Sequence, residues 1–133
     1  MKWLALLLLT AAPAHAYEIT RVIDGDTVEI VVDFLPEPLP PKLSIRVMGV
    51  DTPEKAPRAQ CDVEAAKAQD ATKFTKNAVA NALETEVVIL KWDKYGGRVL
   101  GEVYLDKQSL SEMLIAAGLA RPYKGEAKSS WCE

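Results

Sequence analysis

From Thr27 to Phe34 the chain alternates, with Val28, Ile30, Val32 and Phe34 apolar and Thr27, Glu29 and Asp33 polar, the two-residue period of a half-buried strand. A preceding strand is predicted over about Glu18 to Ile23, joined to it by the turn Asp24-Gly25-Asp26. Asp-Gly between two apolar runs is a strong hairpin signal. Leu35 to Pro41 carries four prolines, which cannot donate to a ladder and favour a stiff extended connector over a binding motif. Leu43, Ile45, Val47 and Gly49 form one face of a third strand, with Arg46 and Met48 on the other and Pro53 as its stop.

Asp62 is then placed as the cap of a helix reaching about Leu83, with Ala71, Phe74, Ala78 and Ala82 at helical spacing. Val87 to Trp92 and Val99 to Leu105 read as a fourth and fifth strand. Ser109-Leu110-Ser111-Glu112 is a capping box, backed by the apolar stripe Leu110, Met113, Leu114 and Ala117, and Gly118 suits the helix exit. Three strands, a helix, two strands and a helix fit a mainly β (α+β) domain: a five-stranded Greek-key barrel of the OB type with two packed helices. After Tyr123 the tail is polar, with Trp131 as its apolar anchor.

The first sixteen residues change the picture of what folds. Lys2, the apolar run Trp3 to Leu9, and Pro13-Ala14-His15-Ala16 make a secretory signal peptide cleaved after Ala16. Its apolar core is too short to span a bilayer, so the expectation is an exported protein, secreted or periplasmic, with no membrane attachment. Cleavage of 16 from 133 residues leaves 117, one domain over 17–123 and a tail over 124–133. The remaining 15 basic and 19 acidic residues give a charge of −4, awkward for a nucleic-acid binder unless a cation is bound or basic groups share one face. Arg46, Lys91, Lys94, Arg98, Arg121 and Lys124 are the basic residues near the proposed site. Cleavage also removes His15, the single histidine. Mechanisms built on imidazole, including Ser-His-Asp hydrolysis and histidine zinc sites, are thereby excluded. Cys61 and Cys132 are an even pair in an exported chain and read as a disulfide, with two unpaired thiols as the alternative.

The chemistry sits at the strand ends. Ile23-Asp24-Gly25-Asp26-Thr27 and Arg46-Val47-Met48-Gly49-Val50-Asp51-Thr52-Pro53-Glu54 supply four carboxylates and an arginine, and Asp93-Lys94-Tyr95-Gly96-Gly97-Arg98 supplies a second arginine. Carboxylates that gather a hard cation, with arginines that fork onto phosphate oxygens, suit phosphodiester cleavage. Each segment alone reads as an ordinary turn or a solvated strand face; their joint occurrence in order is specific. From about Ile19 to Ala120 the chain resembles the staphylococcal nuclease family, through Ile-Asp-Gly-Asp-Thr-Val, Arg-x-x-x-Val-Asp-Thr-Pro-Glu and Asp-Lys-Tyr-Gly.

That resemblance implies an OB barrel that hydrolyses DNA and RNA with Ca²⁺ and leaves 3′-phosphate ends. By motif, Asp26 and Asp51 match the calcium carboxylates and Thr52 offers its backbone carbonyl, with Asp24 behind them orienting ligands or waters. Glu54 matches the general base, and Arg46 and Arg98 match the pair gripping the scissile phosphate. Lys94 and Tyr95 match positions touching the nucleotide's phosphate, and Tyr123 offers an aromatic face for a base or else packs on the barrel. Trp92 and Trp131 are assigned to packing. The expected partner is single-stranded or melted nucleic acid, and the expected state a monomer.

Three departures from the family pattern stand out. Gly97 is an extra residue before Arg98, absorbed on this reading by a Gly96-Gly97 bulge that keeps Arg98 in the cleft beside Arg46. The loop Lys55 to Asp62 is short and contains Cys61, and a further C-terminal helix after Tyr123 is expected to be absent. The rival reading is a non-catalytic OB module that binds nucleic acid or oligosaccharide; the presence of Asp26, Arg46, Asp51, Glu54 and Arg98 together favours the enzyme. An exported barrel that binds a partner protein has only the acidic charge and the Pro-rich loop behind it.

Overall fold

The computed structural model describes residues 16–94 and 97–133, so residues 1–15 of the expected signal peptide, Tyr95 and Gly96 lie outside the described residues. Strands β1 (Ile19–Asp24), β2 (Thr27–Val31), β3 (Lys42–Val47) and the two-residue β4 (Val50–Asp51) lead into α1 (Asp62–Asn81). There follow β5 (Thr85–Trp92), β6 (Arg98–Leu105), β7 (Gln108–Ser109), α2 (Leu110–Ala116) and β8 (Arg121–Pro122). The architecture is mainly β with two helices, as the apolar periodicity predicts, and among the described residues no helix is long and apolar enough to cross a membrane.

The main sheet runs β1-β2-β3-β6-β5, antiparallel except for the parallel pair β3–β6, with β7 added to β6. The expected closed ring is not completed by a strand ladder: β1 and β5 lie at opposite ends of the hydrogen-bonded path. Thr85 Oγ1 donates to the Tyr17 carbonyl at 3.2 Å, linking those ends by a side chain instead. Val28, Ile30, Leu43, Ile45, Val47, Val87, Val99 and Val103 are buried between the strands, and Leu110 and Leu114 of α2 close the core. Alternation along β6 is strict, which is the period-2 signature of one buried face.

Several boundaries move, each for a physical reason. β2 ends at Val31, and although Val32 N still donates to the Pro41 carbonyl at 3.0 Å, Phe34 is exposed where the prolines bar further pairing. Gly49 leaves the third strand, since its φ of +83° makes it the turn between β3 and β4. The α1 cap is Cys61, not Asp62: extended Cys61 accepts from Glu64 N through Sγ at 3.4 Å, and Asp62 is the first helical residue. The helix stops at Asn81, two residues short of Leu83, which is exposed. Ser109 caps α2 as the capping box predicts, accepting from Glu112 N. The tiny ladder β4–β8 carries no periodic signal and was not anticipated.

Gly25 has a packing role. A Cβ there would lie 2.7 Å from Ala71 Cβ, so only glycine lets the β1–β2 turn press onto α1. Thr75, fully buried on α1, donates to the Gly25 carbonyl at 2.6 Å and fixes that approach. The disulfide Cys61–Cys132 spans 71 residues with its Cα atoms 6.0 Å apart and ties the tail to the start of α1.

Candidate functional site

An open cleft of about 1320 Å³ draws its walls from the β1–β2 turn, β3, the loop after β4, the ends of β5 and β6, and the tail after β8. Asp24, Asp26, Arg46, Thr52, Glu54, Lys94, Arg98 and Tyr123 all line it. Residues scattered over a hundred positions are gathered because parallel β3 and β6 pair Ser44 with Arg98 and Arg46 with Leu100, setting both arginines on neighbouring strands. Eight cationic side chains line the cleft (Arg46, Lys55, Arg58, Lys91, Lys94, Arg98, Lys124 and Lys128) against four acidic ones (Asp24, Asp26, Glu54 and Asp93). The cleft is basic on an acidic chain. Arg121, named with the basic residues of the site, is not among its walls.

The carboxylates differ in how they are held. Asp26 is 7 % exposed; its Oδ1 accepts from Thr27 Oγ1 at 2.9 Å, and its Oδ2 meets Arg46 Nε at 3.5 Å. Asp51 is 4 % exposed and lies beneath the cleft surface rather than on it. Its Oδ2 accepts from Trp131 Nε1 at 3.1 Å and its Oδ1 faces Lys128 Nζ at 3.2 Å. Lys128 also reaches Glu54 Oε1 at 3.6 Å, so one ammonium bridges the two acidic groups. Asp24 pairs with Lys55 at 2.9 Å. The backbone N–H of Glu54 donates to Glu64 Oε2 at 3.0 Å, and Gln60 N donates to Glu64 Oε1 at 2.8 Å. Buried Glu64, in the first turn of α1, thus holds the whole loop that carries Glu54.

Arg98 opens β6, so Gly97 with φ +68° absorbs the extra residue; the Gly96 half of the expected bulge lies outside the described residues, as does Tyr95. Asp93 Oδ2 accepts from Arg98 Nε at 2.7 Å and Nη2 at 2.5 Å, engaging one edge of the guanidinium. Glu102 pairs elsewhere, accepting from the Tyr104 hydroxyl; that bond, more than the smaller effects of desolvation and nearby charge, raises the Tyr104 pKa.

Of the two tryptophans assigned to packing, Trp92 needs correction and Trp131 does not. Trp92 is 60 % exposed on the cleft wall, beyond the irregularity between Ile89 and Lys91 where β5 leaves the core. Trp131 is buried as expected, but its N–H is spent on Asp51. Lys128, Glu64 and this indole are the site residues that the motifs miss. Lys128 and the indole act across long sequence separations, whereas Glu64 acts on a loop ten residues or fewer away, and only the polar flank of a helix start and an aromatic in a polar tail hinted at them.

The donor chemistry is all oxygen. Among the described residues no group of three or more His, Cys, Asp or Glu side chains is placed to hold a metal ion. An ion held here would have to complete its shell from backbone carbonyl, water and substrate oxygens, a mixture that would suit Ca²⁺ with its six to eight oxygen ligands. The ammonium against Asp51 Oδ1 shows that this spot accepts positive charge, and the residues fit a hard cation.

The family described as "Staphylococcal nuclease homologue" matches residues 44–131, the stretch from β3 through the tail. The thermonuclease of Staphylococcus hyicus is 35 % identical over 117 residues, covering 85 % of this chain and 62 % of that protein. The thermonuclease of Staphylococcus intermedius is likewise 35 % identical over 113 residues, 84 % of this chain and 62 % of its own. Endonuclease YncB of Bacillus subtilis is 36 % identical over 104 residues, 76 % of this chain and 44 % of that protein. The chain thus spans about six-tenths of the length of these thermonucleases and less than half of the Bacillus endonuclease. On the matched segment and the shared level of identity, the chain belongs to the staphylococcal nuclease family.

Proposed function

We propose that this protein is a calcium-dependent nuclease that hydrolyses phosphodiester bonds of single-stranded or melted DNA and RNA, leaves 3′-phosphate ends, and works as an exported monomer. The observation that carries the reading is the basic cleft in which Asp26, Glu54, Arg46 and Arg98 meet, with Asp51 just beneath. The relatives named thermonuclease and endonuclease support the same chemistry. Asp26, Asp51 and the Thr52 carbonyl would hold the ion, which supplies Lewis-acid stabilisation of charge on a phosphate oxygen.

The chain's own residues do the rest. Arg46 and Arg98, from adjacent parallel strands, fork onto the equatorial oxygens where charge builds in the transition state. Glu54, its backbone pinned by Glu64, accepts the proton of the attacking water as the P–O5′ bond breaks, and the 5′ oxygen leaves as a hydroxyl after taking a proton from solvent. Asp24, paired with Lys55, steadies the rim around the acidic groups. Lys94 lines the path of the backbone, and Tyr123 and exposed Trp92 present faces on which bases stack. Stacking and phosphate contacts read no sequence, which favours broad substrate scope. Export accords with residues 1–16 and with a disulfide, a bond that persists in oxidising compartments.

End-labelled DNA and RNA oligonucleotides test this directly. Products should carry 3′-phosphates that block polymerase extension until a phosphatase removes them, and Glu54→Gln should slow their appearance ~10²–10⁴-fold. Extendable 3′-hydroxyl products, or undiminished cleavage by Glu54→Gln, would contradict the mechanism.

A further inference from the structure

We infer that Trp131 is a positioning residue of the active site: its indole N–H fixes the Asp51 carboxylate, and the disulfide-tethered tail exists to deliver it. This rests on the reading of Asp51 as a ligand of the ion. A buried tryptophan satisfies its N–H somewhere. Here the partner is a nearly buried carboxylate 80 residues away, on the two-residue strand β4, whose Val50 packs into the core while Asp51 turns to the tail.

The segment that carries the indole is held by Cys61, Lys67 and Arg121. Cys132, beside Trp131, is covalently bound to Cys61, and Lys67 Nζ donates to the Trp131 carbonyl at 3.4 Å. Arg121 lays its guanidinium 3.8 Å from the ring centroid and donates through Nη1 to the Ser130 carbonyl at 2.8 Å. Arg121 is also the residue that faces Asp51 across the β4–β8 ladder. Asp51, Arg121 and Trp131 therefore form one layered unit, clamped by the disulfide.

The chemical consequence follows from what indole can do. It is a donor only, so it can serve the carboxylate and cannot compete with it for a cation. With Oδ2 bound to the ring, Oδ1 is turned toward the spot where Lys128 rests, the side shared with Glu54. Outer partners of this kind set ligand orientation, and their loss typically lowers metal affinity or activity by 10–100-fold.

Calcium titration calorimetry on the disulfide-intact protein tests the inference, with Asp51→Ala and Trp131→Phe beside the wild type. Trp131→Phe keeps an aromatic ring for Arg121 and removes the donor together with part of the buried ring. The expected result is calcium binding by wild type, none by Asp51→Ala, and binding weakened about 10-fold by a Trp131→Phe protein that still unfolds cooperatively. Its kcat at saturating calcium should recover toward wild type, a split that mere loss of packing would not give. If Trp131→Phe fails to fold, benzothienylalanine at position 131, which replaces the N–H by sulfur in the same ring shape, makes the same comparison. Wild-type affinity in either donor-free variant, with Asp51→Ala inactive in binding, would overturn the positioning role while leaving the metal site standing. Unchanged affinity in Asp51→Ala would bring down the metal reading and this inference with it.

Discussion

Arg98 shows how a single residue's place depends on its neighbours' backbone. Gly97 at φ +68° lets the strand restart at Arg98, and Asp93 then grips its Nε and Nη2 at the wall of the cleft that Arg46 shares. Removing a transition-state donor typically costs ~10²–10³ in rate. Arg98→Ala should therefore lose about that much kcat at nearly unchanged melting temperature, and full activity would show that another cation holds the phosphate. The position of this residue at the head of β6 was legible in the sequence because the strand pattern from Val99 onward holds regardless of the extra glycine. Lys128 was not legible: a lysine in a polar tail looks solvated, and only the folded tail brings its ammonium to Asp51 and Glu54.

Secondary-structure elements were legible wherever burial is periodic, as in β2, β3, β6 and the capped α2. The β4–β8 ladder escaped because two-residue strands have no period, and the cap of α1 moved by one because a disulfide sulfur took the place of the usual oxygen. Two contacts of α1 govern the site from behind. Gly25→Ala should force the β1–β2 turn off Ala71 and destabilise the fold by about 1–3 kcal/mol in a denaturant melt, with the loss of packing that overfilled cores show. Glu64→Ala removes the acceptor for both Glu54 N and Gln60 N. We expect it to lower kcat more than KM, because it frees the loop that aims Glu54 while leaving the phosphate-gripping arginines in place; a change in KM alone would assign that loop to substrate binding.

Across the whole molecule, an acidic chain presents a basic cleft, and that separation of charge reconciles the net balance of −3 with a polyanionic substrate. Substrate affinity should accordingly fall steeply with salt, and a flat response between 50 and 200 mM would remove phosphate contacts as its source. The disulfide makes the tail part of this architecture. Replacing Cys61 and Cys132 together by serine should cost about 4 kcal/mol on a chain-entropy account and loosen the tail that covers Asp51. The central claim is that the oxygen-rich floor of the cleft holds calcium for hydrolysis of nucleic acid. The most direct measurement is the rate of DNA and RNA breakdown by residues 17–133 in calcium, in magnesium and in chelator. The account predicts hydrolysis with calcium, much less with magnesium because it demands stricter octahedral geometry, and none in chelator. Undiminished hydrolysis in chelator would contradict it.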